Sequence, residues 1–421
     1  MAQFGLSPAQ QEFVDHVRHL AETELGPAAG GAGYESAGLV DRPLLRRLGE
    51  LGLLRGLFGG SPSEPVGAGG DAAAMQLCLL RETLATVSTE AETALALQGL
   101  GSYPILQSGR PATVDRWLPG VVRGEVVAAF ALSEPDAGSD AAALSLQAKR
   151  DDDGWTLHGE KAWISNAPEA DVYTVFARTT PDAGARGVTA FAVPGDARGL
   201  TGEHLDLLAP HAIGRLSFDG VHVTEDDVLG EVDAGFAVAM RTLDLFRPSV
   251  GAFAVGMAQA ALDAAVRWSG EREVYGGPLH AQQSVQHTLA EMATRVQASR
   301  LLVRAAAASY DERADPRSVT TNAAMAKLFA TESAQWVVDQ AVQLHGARAL
   351  QRGHLLEHLY REVRAPRIYE GASEVQRTII GRALVRAAQE GSRLDIARPP
   401  RSPRTGSTST SRSRTASRRS P

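Results

Sequence analysis

The sequence predicts an α+β protein with an N-terminal helical domain, a central β domain and a C-terminal four-helix bundle. Apolar residues recur with a helical period before about residue 125 and again after residue 235. Between these regions lie short runs rich in β-branched and aromatic residues, separated by clusters of Gly, Pro and Asp. We therefore predict domains at 1–125, 126–234 and 235–390, followed by a disordered Arg/Ser-rich tail at 391–421.

The first helix is predicted from its start signal. Ser7 and Pro8, followed by Gln10, are typical of an N-cap, a first-turn proline and a capping box. The next apolar residues lie on one helical stripe: Phe13, Val17 and Leu20. Helices are expected to continue to about residue 122, interrupted by a glycine-rich loop at Gly59–Asp71.

The central region is predicted to form an antiparallel barrel or sandwich. Its strands are expected at Val126–Leu132, Val172–Ala177, Val188–Val193 and Leu216–Val223. No parallel βαβ repeat is recognisable, which argues against a Rossmann or TIM-barrel fold. Helical stripes then return at Val285, Leu289, Met292 and Val296, and at Val337, Ala341 and Leu344.

Composition excludes several classes of protein. The 421 residues, 44% of them hydrophobic, are enough for a sizeable core in two or three domains. No uninterrupted apolar run reaches the roughly 18 residues of a membrane helix, and no secretory signal is recognisable at the N-terminus. We expect a cytoplasmic protein without membrane insertion. A single cysteine, Cys78, excludes an internal disulfide and is expected in a helical core.

Charge is distributed unevenly along the chain. The net charge is −7, yet residues 396–421 contain seven arginines and no acidic residue, so the rest of the chain is markedly acidic. The tail lacks the large apolar residues that would offset its ordering entropy. It also lacks interleaved aromatic residues, and the acidic body would repel a polyanion. We therefore expect no nucleic-acid partner.

Short nucleotide and metal motifs give little support to other functions. The sequence contains no GxGxxG, GxxxxGK[ST] or GxSxG. His354, Glu357 and His358 match HxxEH, which would make a zinc hydrolase the remote alternative. No third ligand is identifiable, and four arginines near the motif would disfavour a dication: Arg348, Arg352, Arg361 and Arg364. We expect no metal.

Two distant stretches carry the functional prediction. Residues 131–140 (ALSEPDAGSD) form a hydroxyl-rich turn after an apolar run, and residues 367–377 (RIYEGASEVQR) present a carboxylate before a helix. With residues 159–166, 218–223, 229–230, 246–248, 271–276 and 341–346, they resemble the acyl-CoA dehydrogenase family in order, over about residues 7–386. The resemblance implies FAD as cofactor and the conversion of an acyl-CoA to a trans-2-enoyl-CoA.

The family's site residues carry over to matching positions here. Glu370 corresponds to the base that removes the α-proton while flavin N5 accepts a hydride. The alternative base position of some subfamilies is Phe246, which cannot accept a proton. Ser139 and Arg247 correspond to substrate-binding residues. Four positions correspond to contacts with the isoalloxazine ring: Ser133, Trp163, Ile164 and Ser165.

A second group of matching positions reaches the FAD of a neighbouring subunit in the family. It comprises Arg272, which would pair with the pyrophosphate, together with Tyr275, Gln283 and Gln343. Gly346 and Ser373 complete the expected cofactor set. The resemblance thus implies a homo-oligomer, a dimer or a tetramer, and an electron-transfer flavoprotein as the electron acceptor.

Several residues depart from the family pattern, and alternatives stay open. Tyr275 replaces a usual Phe, Ala347 and Ala349 replace glycines, and Ala372 replaces a Thr. We expect these changes to affect how the substrate fits more than which reaction is catalysed. The same fold could act on an acyl-carrier-protein thioester, or use oxygen as an oxidase or monooxygenase, although the presence of Glu370 counts against the monooxygenase. A non-catalytic scaffold is a further, remote alternative.

Overall fold

A computed structural model of the chain describes residues 5–26, 38–58, 73–209 and 211–391. The predicted glycine-rich loop at 59–71 and the predicted tail beyond residue 391 lie outside the described residues. Within the described part, helices precede and follow a central sheet, so the predicted fold class is confirmed.

The N-terminal part is helical. Its elements are α1 (Pro8–Leu20), a short π-helix (Ala21–Leu25), α2 (Arg42–Glu50), α3 (Ala74–Ala85), α4 (Thr89–Ser108) and α5 (Pro111–Val122). The predicted capping box is confirmed, because the Gln10 amide donates to Ser7 Oγ at 3.2 Å and the Ser7 amide donates to Gln10 Oε1 at 2.9 Å. Val17 on the predicted stripe is buried, as is Cys78 in α3.

The central part is one mainly antiparallel sheet. Its strands are β1 (Ala128–Ala131), β2 (Gln147–Arg150), β3 (Gly154–Ser165), β4 (Val172–Arg178), β5 (Val188–Pro194), β6 (Leu200–His204), β7 (Ile213–Thr224) and β8 (Val228–Leu229). Their order is β6-β7-β3-β2-β4-β5-β8, and β1 pairs with β4 in parallel. The four predicted strands are present as β1, β4, β5 and β7, whereas β2, β3, β6 and β8 were not predicted.

The C-terminal part is a helical bundle. It comprises α6 (Gly235–Glu271), α7 (Gln283–Asp311), α8 (Pro316–His345), α9 (Leu355–Glu362) and α10 (Ser373–Gln389), with a small hairpin of β9 (Glu273–Val274) and β10 (Gly277–Pro278) after α6. Helix α8 packs against α6, α7 and α10, and α3 joins the bundle through α6.

Helix α6 is the one described helix that is long and apolar enough to cross a membrane. However, 83% of its most apolar window is buried inside the protein, as expected for the core helix of a globular fold. Its first turn approaches β5 closely: a Cβ atom on Gly235 would lie 2.3 Å from the amide nitrogen of Ala190. Only glycine therefore allows this contact between bundle and sheet.

Helix α4 connects the sheet with the bundle. The Gln98 side chain donates to the Val126 carbonyl at 2.7 Å and accepts from the Ala128 amide at 2.8 Å, which fixes β1. One turn further along, the Tyr103 ring meets the Phe246 ring of α6 edge-on at 6.2 Å. The start of β1 and the first third of α6 therefore both contact α4.

Candidate active site

The turn after β1 presents the first group of predicted site residues. The backbones of Glu134 and Ala137 exchange hydrogen bonds of 3.1 and 3.2 Å, which closes a tight turn. Ser133 is partly buried at the entrance of the turn, and Ser139 is exposed beyond it. The apolar strand thus ends at a turn that exposes hydroxyl groups.

A buried ion pair holds this turn against β3. Lys161 Nζ lies 2.9 Å from Glu134 Oε1 and also donates to the Leu132 carbonyl at 3.0 Å. Glu134 further accepts from the Ser145 amide at 2.6 Å and from the Leu146 amide at 3.0 Å. Burial would raise the pKa of the Glu134 carboxyl, but the Lys161 ammonium and these hydrogen bonds lower it. Glu134 is therefore held as a carboxylate.

A bulge in β3 explains the position of Trp163. The register of β3 on β7 shifts between Lys161 and Ile164, and Trp163 adopts a φ of 56°. Its indole is consequently 51% exposed while Ile164 beside it is buried. The Ala162 amide donates to the Ser133 carbonyl at 3.0 Å, so this bulge and the turn after β1 are joined.

These two joined segments fit the flat ring system that a flavin presents. An exposed indole supplies an aromatic face, and Ser133 and Ser165, both partly buried, supply hydroxyl and backbone groups at its edge. In a folded protein an exposed Trp on a strained backbone is unusual. We take the pair of segments as the candidate flavin site.

Glu370 lies in a left-handed turn between α9 and α10. Its φ is 51°, and that of Gly371 is 98°. Arg247 Nε of α6 donates to the Glu370 carbonyl at 3.2 Å, and Lys327 Nζ of α8 donates to the Gly371 carbonyl at 2.6 Å. Gln376 Nε2 of α10 donates to the same Gly371 carbonyl at 3.0 Å. Three helices thus fix the backbone that carries Glu370.

The residues around this turn are also fixed to α8. Glu332 accepts from the Ser373 hydroxyl at 2.5 Å and forms an ion pair of 2.9 Å with Arg367. Ser373 is buried, and its hydroxyl is engaged by Glu332. The structure therefore gives Ser373 a role in anchoring the turn, and a contact with a cofactor stays only a prediction.

The Glu370 carboxylate is poorly solvated. Its Oε2 atom is inaccessible to solvent and has no hydrogen-bond partner among the described residues. Burial raises the pKa of Glu370 above its ordinary value, and the cations Arg81, Lys327 and Arg247 oppose that increase. Such a carboxylate is available as a base because no donor from the described residues competes for the lone pairs of Oε2.

The first of these cations belongs to a buried network that the sequence did not reveal. Arg81 of α3 forms a close ion pair with Glu92 of α4, and both side chains are buried. Arg81 Nη1 also donates to the Ser249 hydroxyl of α6 at 2.7 Å. Because Glu92 balances its charge, Arg81 can remain cationic near Glu370.

The residues expected to reach a second subunit lie on the surface of the bundle. Arg272, Tyr275 and Gln283 lie at the connection of α6 to α7, and all are exposed, Tyr275 to 98%. Gln343 and Gly346 are exposed at the end of α8. Within the described chain, no hydrogen bond joins any of them to the turns that carry Ser133 and Glu370.

The HxxEH residues do not converge. His354 precedes α9 as its N-cap, with an extended backbone, so the motif does not lie on one helix. His358 is buried, with Nε2 2.5 Å from the Thr89 hydroxyl, and Glu357 forms an ion pair with Arg361 at 2.8 Å. No group of three potential metal ligands occurs among the residues that the structure covers.

The sequence analysis assigned no role to six polar residues that hold the site: Arg81, Glu92, Glu134, Lys161, Lys327 and Glu332. Lys327 did leave a signal. It interrupts a face of α8 otherwise formed by small buried residues, such as Ala323, Ala330 and Ala334. A charged residue at a core position of a helix indicates a buried partner.

Family models match nearly the whole described chain. The N-terminal domain of acyl-CoA dehydrogenases matches residues 7–125, the middle domain residues 129–221 and the C-terminal domain residues 233–385.

Individual relatives agree with these matches. Cyclohexane-1-carbonyl-CoA dehydrogenase of Geobacter metallireducens is 33% identical, over 91% of this chain and all of that protein. The mitochondrial short-chain specific acyl-CoA dehydrogenase of Mus musculus is 37% identical, over 88% of each chain. The solved structure of butyryl-CoA dehydrogenase from Megasphaera elsdenii superposes with a TM-score of 0.83 at 34% identity, over 91% of this chain and 99% of that one.

Proposed function

The chain belongs to the acyl-CoA dehydrogenase family of FAD-dependent oxidoreductases, and on that premise we propose that Glu370 is the base that starts the oxidation of its acyl-CoA. In the proposed reaction Glu370 removes a proton from the α-carbon of the thioester, and a hydride leaves the β-carbon. The two C–H bonds are replaced by a trans double bond between these carbons. FAD supplies the acceptor for the hydride and its two electrons.

One observation carries this proposal: the Glu370 carboxylate lies in a fixed turn, and no donor from the described part of the chain reaches its Oε2 atom. The α-proton of a thioester is weakly acidic, so an ordinary carboxylate in water is a poor base for it. Burial raises the pKa of Glu370, which makes its carboxylate a stronger base. The Arg81, Lys327 and Arg247 cations oppose that increase in pKa because they stabilise the ionised carboxylate.

The thioester carbonyl must also be polarised. The backbone amide of Glu370 is suited to donate to the carbonyl oxygen, because the left-handed turn and its two fixed carbonyls orient this peptide. Arg247 beneath the same turn orients Glu370 through its carbonyl. We expect Ser139, exposed on the turn after β1, to contact the pantetheine arm of the substrate.

Ser133, Trp163, Ile164 and Ser165 would hold the isoalloxazine ring of FAD. The bulge that exposes Trp163, and the Ala162–Ser133 hydrogen bond that joins both segments, support this assignment. The exposed Arg272, Tyr275, Gln283, Gln343 and Gly346 would contact the FAD of a second copy in a dimer or tetramer. An Arg272→Met variant should then lose FAD without losing its fold, as measured by flavin absorbance and circular dichroism.

The acyl group is proposed to be short or alicyclic. This proposal rests on the names of the relatives, one specific for short chains and one for a cyclohexane carboxylate. An electron-transfer flavoprotein is the proposed acceptor.

Anaerobic titration tests the function directly. The FAD-loaded protein is mixed with short, branched, alicyclic, long and aromatic acyl-CoAs, and flavin absorbance is followed in the visible. Bleaching by at least one acyl-CoA, with formation of the enoyl product, is expected. No bleaching by any of them would reject the proposed function, and rapid oxygen consumption in air would favour an oxidase.

A further inference from the structure

Lys327 occupies a position where a lysine is unfavourable. Its side chain is completely buried in the middle of α8. Burial of an ammonium without compensation costs several kcal/mol, so buried lysines are normally paired. Burial accordingly lowers the pKa of Lys327 to about 8, although the nearby Glu370 carboxylate opposes this decrease. The fold alone would be served better by an apolar residue here.

The ammonium of Lys327 points at the turn that carries Glu370. Its Nζ donates to the Gly371 carbonyl at 2.6 Å. Gln376 donates to the same carbonyl, and Arg247 donates to the carbonyl of Glu370. Two successive carbonyls of a left-handed turn are thus held by buried side chains from three helices.

Several charges face Lys327 from the surrounding elements. Arg247 of α6 repels the ammonium, whereas Glu370 in the turn, Glu332 of α8 and Glu374 of α10 attract it. Glu332 is already engaged by Arg367 and Ser373, and Glu374 pairs with Arg377 at 3.2 Å. Glu370 is therefore the carboxylate that Lys327 can influence most.

We propose that Lys327 is a positioning residue for the base: its ammonium fixes the Gly371 carbonyl and places a positive charge beside the Glu370 carboxylate. This inference rests on the proposed function of Glu370 and extends it to a second helix. Lys327 does not touch the substrate. It acts by holding the carboxylate in place and by favouring its ionised form.

The first test is Lys327→Met, which keeps the length of the side chain but removes the donor and the charge. We expect anaerobic bleaching by a good acyl-CoA to slow by about 100-fold, as for a small displacement of a catalytic group. The melting temperature should stay equal or rise, because a buried ammonium is removed. Lys149→Met on the exposed face of β2 is the matched control and should change neither quantity.

Two further readouts separate positioning from a merely structural role. With Lys327 gone, the pKa of Glu370 should increase, so the bleaching rate of Lys327→Met should require a higher pH than that of the wild type. In Lys327→Ala, added propylammonium should restore part of the rate with saturation, because it can occupy the space of the missing ammonium. FAD content, measured by absorbance, should equal that of the wild type in each variant.

The outcomes distinguish the two proposals. A wild type that no acyl-CoA bleaches rejects the proposed function, and this inference with it. A wild type that bleaches normally, together with a Lys327→Met variant of equal rate and equal pH profile, rejects the inference alone. A slow variant that has also lost FAD and melts well below the wild type rejects it as well, since Lys327 would then serve the fold.

Discussion

Lys161 Nζ and Glu134 Oε1 lie 2.9 Å apart, and both side chains are buried. The pair connects the turn after β1 with the bulge in β3. Each segment carries residues assigned to the flavin, so the ion pair sets their relative position. Its members carry no flavin contact of their own in the proposed site.

Lys161→Met should therefore weaken FAD binding and stability together. The variant leaves Glu134 buried without its cation, and breaking a buried ion pair in this way costs about 3–5 kcal/mol. Urea unfolding and FAD content after purification measure the two effects. The double variant Glu134→Gln/Lys161→Met should recover much of the stability, because no unpaired charge remains. Full FAD content in the single variant would contradict the role of the pair.

Glu370→Gln should slow proton removal strongly while preserving the cofactor site. The amide cannot act as a base, and loss of a general base typically lowers rates by about 10²–10⁴-fold. Burial raises the pKa of Glu370, so the native state binds the proton more tightly than the unfolded chain does. The stability it contributes is present at acidic pH and is lost as pH rises through the native pKa. At neutral pH the variant should thus melt no lower than the wild type. A variant that binds FAD and still bleaches at the normal rate would disprove the assignment.

The bleaching rate of the wild type should increase with pH. Only the ionised form of Glu370 accepts a proton, and burial raises the pKa of this group. The rate should consequently begin to fall, on acidification, at a pH above the ordinary pKa of glutamate. Stopped-flow measurements across pH, with stability monitored at each point, test this. A rate that stays constant down to the ordinary glutamate pKa would show that Glu370 is not raised or not involved.

Gly371→Ala should distort the left-handed turn that carries Glu370. Gly371 has a φ of 98°, and an added Cβ would lie 2.3 Å from Gln376 Nε2. Gln376 would have to move away, which removes its hydrogen bond to the Gly371 carbonyl, and alanine is strained at this positive φ. Both effects should displace Glu370, so we expect about a 100-fold loss of rate and a lower melting temperature. Gly381→Ala in α10 is the matched control, since its Cβ would meet nothing within 4 Å. That variant should keep full activity and gain about 0.5–1 kcal/mol in stability.

The sequence predicted the order of domains and four strands because local patterns carry that information. Strand β3 was not predicted, because its sequence mixes glycine and charged residues with apolar ones. The charge of its buried Lys161 is balanced by Glu134, which lies on another segment of the chain. Propensity and periodicity do not contain such a long-range pair.

In the candidate site, too, the sequence indicated residues of local motifs and missed residues that are brought there by tertiary packing. Glu370, Arg247 and Trp163 lie at matching positions of family motifs, so the sequence alone indicated them. Arg81 and Lys327 lie in α3 and α8, outside those motifs, and come near Glu370 only through tertiary packing. The contacts of Ser139 and Gln343 involve groups outside this chain, so both stay predictions.

Gly235 has a consequence for the working distance between the two halves of the site. Ser133 and Trp163 belong to the sheet part of the site, whereas Glu370 belongs to the helical bundle. The close contact of Gly235 with Ala190 helps to set the distance between the sheet and the bundle. A residue with a side chain at position 235 would push α6 away from β5. The distance between the Glu370 carboxylate and the candidate flavin site would then change, although every reacting group stays the same.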